Sequence, residues 1–302
     1  MSEEDITSLE SALKSKDENT ITQITINLST EERIKLREKY KSNFNRDLLD
    51  DIEKYVKGDL CTLLTSIYKE PIEYFVDLLY KAMKGIGTND EILIEVISFN
   101  SFSRLKKIKQ KFQEKYNKDL ISEIKSETSG DYRTTLISLF ETERSDNTQP
   151  DLDNCKKIAE ELYNAGEGKI GTNESVFVKY FTTLSPDDIS FVGKEYHKKY
   201  KKNLVHVIEN EINGELKKLF KCILYGLLSP SEYFARQING AIKGVGTDDT
   251  VLIRSVVSRM DIDMKMIKKY YKKLFGKNMA DDIKGDVSGN YQKLLLALIG
   301  EK

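Results

Sequence analysis

Tryptophan is absent from this chain of 302 residues, histidine occurs twice, cysteine three times and proline four times. Each shortage excludes something. Cys61, Cys155 and Cys222 are odd in number, far apart and form no CxxC pair, which argues against a disulfide framework or a zinc site and for a reducing, cytosolic setting. His197 and His206 both fall in helical text with no nucleophile or second base placed beside them by sequence, so no enzymatic activity is expected. Neither charge dominates. Lys+Arg 48 against Asp+Glu 49 leaves a net −1, so no whole-protein field draws in nucleic acid. Long apolar runs are missing too: LLLALI at 294–299 is far too short to cross a bilayer. The N-terminus MSEEDITSLE lacks the charged-then-apolar pattern of a signal peptide. Any membrane is expected to be met from outside.

What is present is repetition. At 39% hydrophobic and 32% charged residues the composition suits a folded, helix-rich chain, and its length suits more than one structural unit. GIGTND at 85–90 recurs as KIGTNE at 169–174 and GVGTDD at 244–249. A second signal, an acid followed two residues later by Ser-Gly or Asn-Gly text, reads ETSG at 127–130, EING at 211–214 and DVSG at 286–289. From Gly87 to Glu127, from Gly171 to Glu211 and from Gly246 to Asp286 the interval is 40 residues each time. Upstream, YVKG at 55–58 keeps the glycine and puts Tyr55 where the acid belongs. Four repeats follow: 1–69 (degenerate, without the glycine motif), 70–145, 146–228 and 229–302. The polar stretch ETERSDNTQPD at 141–151 reads as a linker dividing the first two repeats from the last two.

Each repeat reads as helices. EILIEVISF from Glu91 and TVLIRSVVSRM from Thr250 carry apolar residues at three- and four-residue spacing, while no period-2 strand text is convincing. RLKKIKQKFQEKYNKDLISEI must break near Asn117–Asp119. Pro71, Pro150, Pro186 and Pro230 each stand before helical text. Thr88 followed by Glu91 suggests a capping box, so the glycine loop joins two helices. The distant acid is expected just before a glycine that ends another helix.

A loop with two glycines can turn its carbonyl oxygens outward together, and carbonyls plus one carboxylate are hard oxygen ligands suited to calcium. One negative charge per site predicts modest affinity. A single GxG at a helix start is ordinarily only a tight turn; three copies at a fixed interval from an acid are not. A dinucleotide or kinase glycine loop requires a preceding strand, and a P-loop requires a GKS/T ending, so both phosphate-cradle alternatives fail.

With these motifs the whole chain resembles the annexin family, whose repeat carries K-G-x-G-T-[DN]-[DE] with an acid at this interval. Even AGEGKIGTNE at 165–174 resembles the family's variant third loop. The resemblance implies an all-α fold of four repeats of about five helices each, forming a slightly curved disc. It implies Ca2+ held by the carbonyls of Met83, Gly85 and Gly87 with Glu127, of Gly166, Lys169 and Gly171 with Glu211, and of Ile242, Gly244 and Gly246 with Asp286. Asp286 is one methylene shorter than glutamate, which limits its reach. Repeat one, reading SALKSKDEN at 11–19, implies no such site. An arginine the family often places after the loop helix is kept as Arg259 but replaced by Asn100 and Leu184, so the internal salt bridges it makes are not expected in repeats two and three. The worn first repeat also resembles protist annexins of the alpha-giardin type.

The implied function is calcium-dependent binding to acidic, phosphatidylserine-like membranes through the loops of the convex face. The protein would then be cytoplasmic and peripheral, at the cytosolic face of the plasma membrane or the cytoskeleton, with self-association on membranes as a further expectation. Ile86, Ile170 and Val245 at the loop tips either enter the lipid interface or pack on their own helices. Lys84, Lys169 and Lys243 flank them and would add attraction to an anionic surface. The competing reading is a calcium-independent scaffold between membrane and cytoskeleton, kept open by basic runs such as RLKKIKQK (104–111) and EYHKKYKKN (195–203), whose simpler role is a solvated helix face. The stretch before repeat one is short, so no tail-mediated partner is expected.

Overall fold

The computed structural model describes residues 3–146 and 148–301; Met1, Ser2, Asn147 of the polar linker and Lys302 lie outside them. The described residues form twenty α-helices in four sets of five and no strand. The first set is α1 (Glu3–Ser15), α2 (Glu18–Ile26), α3 (Thr30–Phe44), α4 (Leu48–Tyr55) and α5 (Gly58–Ile67). The second is α6 (Pro71–Met83), α7 (Asp90–Ser98), α8 (Phe102–Tyr116), α9 (Leu120–Glu127) and α10 (Gly130–Glu141). The third is α11 (Leu152–Ala165), α12 (Glu174–Thr183), α13 (Pro186–Tyr200), α14 (Leu204–Glu211) and α15 (Gly214–Leu228). The fourth is α16 (Pro230–Ile242), α17 (Asp249–Arg259), α18 (Met264–Phe275), α19 (Met279–Asp286) and α20 (Gly289–Leu298).

Local chemistry sets these boundaries. Pro71, Pro186 and Pro230 are first helical residues, where a missing N–H costs no hydrogen bond. The long third helix of each set ends in a left-handed residue, Asn45, Asn117, Lys201 or Gly276, each donating its N–H back to the helix. A fully buried aromatic stands one turn and a residue before each of these caps: Tyr40, Phe112, Tyr196 and Tyr271. The glycines expected to end helices instead open them. Gly58, Gly130, Gly214 and Gly289 are the first residues of α5, α10, α15 and α20, at φ between +57° and +68°. The preceding helix has already closed on Val56, Thr128, Ile212 or Val287, so the glycine makes the reversal into the next one.

Thr88 does not cap α7 as the sequence suggested. Asn89 does, its Oδ1 accepting from the N–H of Ile92 at 3.2 Å, as Asp17 and Asp248 cap α2 and α17. The same cap residues close the loops. Asn89 donates its N–H to Ala82 O at 2.8 Å, Asn173 to Ala165 O at 2.7 Å and Asp248 to Ala241 O at 2.8 Å. Asp17 does so to Ala12 O at 2.9 Å, across a shorter span without glycine. Repeat one therefore keeps the turn and lacks the loop.

The polar linker does not divide the chain in space. One compact unit contains Met1–Pro71 with Ser231–Lys302, the other Ile72–Pro230. In the first, α5 packs on α17 and α20, and α2 on α20. Thr30 there donates to Asp261 at 2.7 Å, and buried Arg33 donates to Leu28 O at 2.7 Å and Ile67 O at 3.3 Å. In the second, α7 packs on α15 and α10 on α12. Gly226 of α15 allows that approach, since a Cβ there would lie 2.7 Å from Ser98 O. Phe177, Phe181 and Phe220 interlock beneath, with ring centroids 5.1 to 6.3 Å apart. The linker belongs to this unit: Ser145 donates to Thr183 O at 3.2 Å and Arg144 to Leu184 O at 3.2 Å. Burial pushes the Arg144 guanidinium down to about 10.

Arg259 pairs with Asp263 at 2.7 Å, whereas Asn100 donates to Val96 O at 2.7 Å and Leu184 offers only its carbonyl. Cys155 and Cys222 are buried, Cys61 is half-buried, and all three are free thiols. Burial raises the Cys61 and Cys155 thiols above their ordinary value.

Candidate metal sites

The loops that follow α6, α11 and α16 owe their form to glycine. Gly87, Gly171 and Gly246 sit at φ +85°, +80° and +84°, which an L side chain adopts only under strain. The residue preceding each of them is pushed clear of the protein. Ile86, Ile170 and Val245 are 109%, 105% and 112% exposed, the three most exposed large hydrophobics among the described residues. Packing on their own helices, one of the two roles expected for them, is therefore not what they do. Lys84, Lys169 and Lys243 are exposed as well. The ammonium of Lys84 lies 5.5 Å from the Tyr80 ring centre and that of Lys243 lies 5.0 Å from the Phe275 ring centre.

The distant acids arrive at these loops. Thr88 donates its hydroxyl to Glu127 Oε2 at 2.7 Å, Thr172 to Glu211 Oε2 at 3.1 Å and Thr247 to Asp286 Oδ2 at 2.5 Å. Asp286 thus reaches the loop despite its shorter side chain. In repeat three Gly166 lies beside the acid, since a Cβ added there would come within 3.4 Å of Glu211 Cγ. Sequence reasoning missed these threonines by reading Thr88 as a cap. The available signal was that threonine is the same in all three motifs, whereas the following residue varies between Asn and Asp.

The donor set fits a hard cation. Among the described residues, no backbone N–H outside the helices is directed at the carbonyls of Met83, Gly85, Gly87, Ile242, Gly244 or Gly246. Each loop therefore has carbonyl oxygens free for a ligand beside one carboxylate. No cluster of three or more His, Cys, Asp or Glu side chains accompanies them among the described residues, so carbonyls must supply most of any shell. Repeat three differs in two respects. Gly166 O accepts the N–H of Lys169 at 3.1 Å, and the loop contains an extra acid, Glu167. That carboxylate is turned inward, accepting from Tyr196 at 2.9 Å and from Lys202. In repeat one, Tyr55 is half-buried beneath Lys54 and Asp17 is committed to Thr20.

The two histidines line one groove of repeat three, together with Ser190 and Glu209. Glu209 is held by Lys221 at 2.6 Å, which keeps its carboxyl below the ordinary range, and His206 Nε2 lies 3.1 Å from Asn210 Nδ2. No helix among the described residues is long and apolar enough to cross a membrane.

Known proteins share this architecture. The Annexin family profile matches residues 4–67, 74–139, 157–223 and 233–298. Human annexin A4 is 34% identical over 299 residues, covering 98% of this chain and 94% of its own. Human annexin A7 is 32% identical over 285 residues, and this chain spans only 58% of its length. Annexin III superposes with a TM-score of 0.93 at 30% identity, covering 99% of this chain and 93% of its own. Calcium-bound annexin (Sm)1 superposes at 0.83 and 27% identity, covering 98% and 89%. For alpha-14 giardin, at 0.82 and 19% identity with 98% of both chains covered, the likeness is one of fold alone. Annexins in general bind calcium and, through it, acidic phospholipid, and the family works by binding rather than by catalysis. This chain belongs to the annexin family.

Proposed function

We propose that this protein attaches to acidic phospholipid membranes through calcium held at three of its four repeats. The observation that carries the reading is the threonine–acid hydrogen bond, which recurs in all three loops and sets a carboxylate beside outward carbonyls. The residues that would hold the ion are Met83, Gly85, Gly87 and Glu127; Gly166, Lys169, Gly171 and Glu211; and Ile242, Gly244, Gly246 and Asp286. An ion held there would offset the carboxylate charge and supply a cationic contact for lipid phosphate oxygens.

The chain's own groups do the rest. Ile86, Ile170 and Val245, fully exposed at the tips, lose apolar surface to the interfacial layer as the loops touch it. Lys84, Lys169 and Lys243 add about 1 kcal/mol each near an anionic surface. Three contacts on one chain convert weak single sites into firm attachment, because the second and third bind at high effective concentration. The protein is accordingly peripheral to its membrane.

Co-sedimentation with phosphatidylserine vesicles separates this from a calcium-independent scaffold. Binding in calcium and release by EGTA are expected; retention in EGTA favours the scaffold.

A further inference from the structure

Repeats three and four contain the same groove, and that of repeat four is much richer in lysine. In repeat three it lies between α13, α14 and α15, has a volume of about 780 Å³, and is lined by the apolar Ile189, Leu204, Leu224 and Leu228. In repeat four it lies along α18 and the start of α19, has a volume of about 800 Å³, and is edged by Lys265, Lys268, Lys269, Lys272, Lys273 and Lys284. Counted back from the left-handed caps Lys201 and Gly276, the first five lysines occupy the places of Ser190, Gly193, Lys194, His197 and Lys198. Lys284 occupies the place of Glu209. The fold therefore makes the groove with only two lysines at these places, and repeat four has six.

Little in the groove answers this charge. The two acids that line it are Asp281, which accepts from Asn278 at 3.0 Å, and Glu301, which Lys268 holds at 2.9 Å. Lys273 rests 5.8 Å from the Tyr270 ring centre. Lys265, Lys269, Lys272 and Lys284 make no ion pair among the described residues. Like charges three and four residues apart on one helix destabilise it. From Lys265 to Lys272 the row of helix positions that carry the lysines spans about 10 Å along the axis at 1.5 Å per residue. One phosphate is too small to meet it; several phosphates on one compact body match both its length and its charge.

We infer that this groove binds an anion carrying clustered phosphate groups, and does so without calcium. Each phosphomonoester carries close to two negative charges near neutral pH, and lysine ammonium groups meet it as mobile point charges. The same chemistry is offered by a soluble inositol polyphosphate and by a polyphosphoinositide headgroup.

Isothermal titration of the full chain with inositol hexakisphosphate in EGTA tests the soluble source. Flotation with phosphatidylcholine vesicles carrying phosphatidylinositol bisphosphate, also in EGTA, tests the headgroup. Lys269 and Lys272 are exposed, so K269E/K272E should keep its helical circular dichroism. Saturable binding of at least one probe is expected, weakened on the order of tenfold by K269E/K272E. K194E/K198E in the repeat-three groove and E127A/E211A/D286A in the loops should leave it unchanged, which separates this site from the calcium sites. Absence of binding to both probes overturns the proposal. So does binding that survives K269E/K272E, or that K194E/K198E weakens equally.

Discussion

Thr88, Thr172 and Thr247 each tie a loop to an acid that lies some forty residues further along the chain. Removing one such hydroxyl forfeits one charge-assisted hydrogen bond, about 1.5 kcal/mol, and leaves the carboxylate free to swing away from the carbonyls. Thr88→Val should therefore weaken calcium binding at the repeat-two loop roughly tenfold, read by titration calorimetry, with helical content unchanged. Ile86→Asn tests the tip instead: vesicle affinity should fall about threefold while calcium affinity without lipid stays constant. In repeat one the polar residues hold structure. Lys14 at 2.5 Å and then Arg46 at 2.9 Å hold the Glu10 carboxyl below its ordinary 4.5, and Arg46 also reaches Asp51, which accepts from Tyr40. A lowered carboxyl stabilises the fold above its unfolded value, and that stability is lost as pH falls through the folded value. Glu10→Gln should cost about 1 kcal/mol at pH 7, on the scale of a partly exposed ion pair. In urea melts the difference should begin to shrink as pH falls through 4.5 and vanish only below the lowered folded value. The pairing of Gly87 with Glu127 was legible because a fixed interval is a one-dimensional signal. The hydrogen bond by which Thr88 ties the loop to Glu127 was not, since Thr88 followed by Glu91 satisfies a capping pattern equally well until geometry shows Asn89 in the cap.

At the scale of helices, spacing and turn residues specified most of what forms. The three- and four-residue apolar period predicted α7 and α17, and the Asn117–Asp119 cluster marked the break between α8 and α9. The glycines that open α5, α10, α15 and α20 were misread because a positive-φ glycine serves equally well after one helix or at the start of the next. Gly226 carries a different constraint. In an exposed helix interior glycine to alanine gains up to about 1 kcal/mol. Here the added Cβ would meet the backbone oxygen of Ser98 at 2.7 Å, forcing α15 from α7. Overpacking of that kind costs about 1–3 kcal/mol, so the clash outweighs the propensity. Gly226→Ala should lower the melting temperature by several degrees.

For the whole molecule, the four repeats were legible and their partnership was not. The linker at 141–151 suggested a division after repeat two, yet repeats one and four share one compact unit and repeats two and three the other. Contacts such as Thr30 with Asp261 join residues more than two hundred positions apart, and no local pattern announces them. Degeneration of repeat one is thus tolerated: its loop holds no glycine, but its helices still pack on those of repeat four. On the proposed reading, three intact loops would make attachment a property of valency. Losing one acid should raise the calcium concentration needed for half-maximal vesicle binding, and losing all three should abolish calcium-dependent binding. The most direct measurement is sedimentation of E127A/E211A/D286A with phosphatidylserine vesicles across a calcium titration, beside the wild-type chain. Wild type should pellet with the vesicles in calcium and the triple variant should stay in the supernatant at every calcium concentration; equal sedimentation of the two would contradict the account.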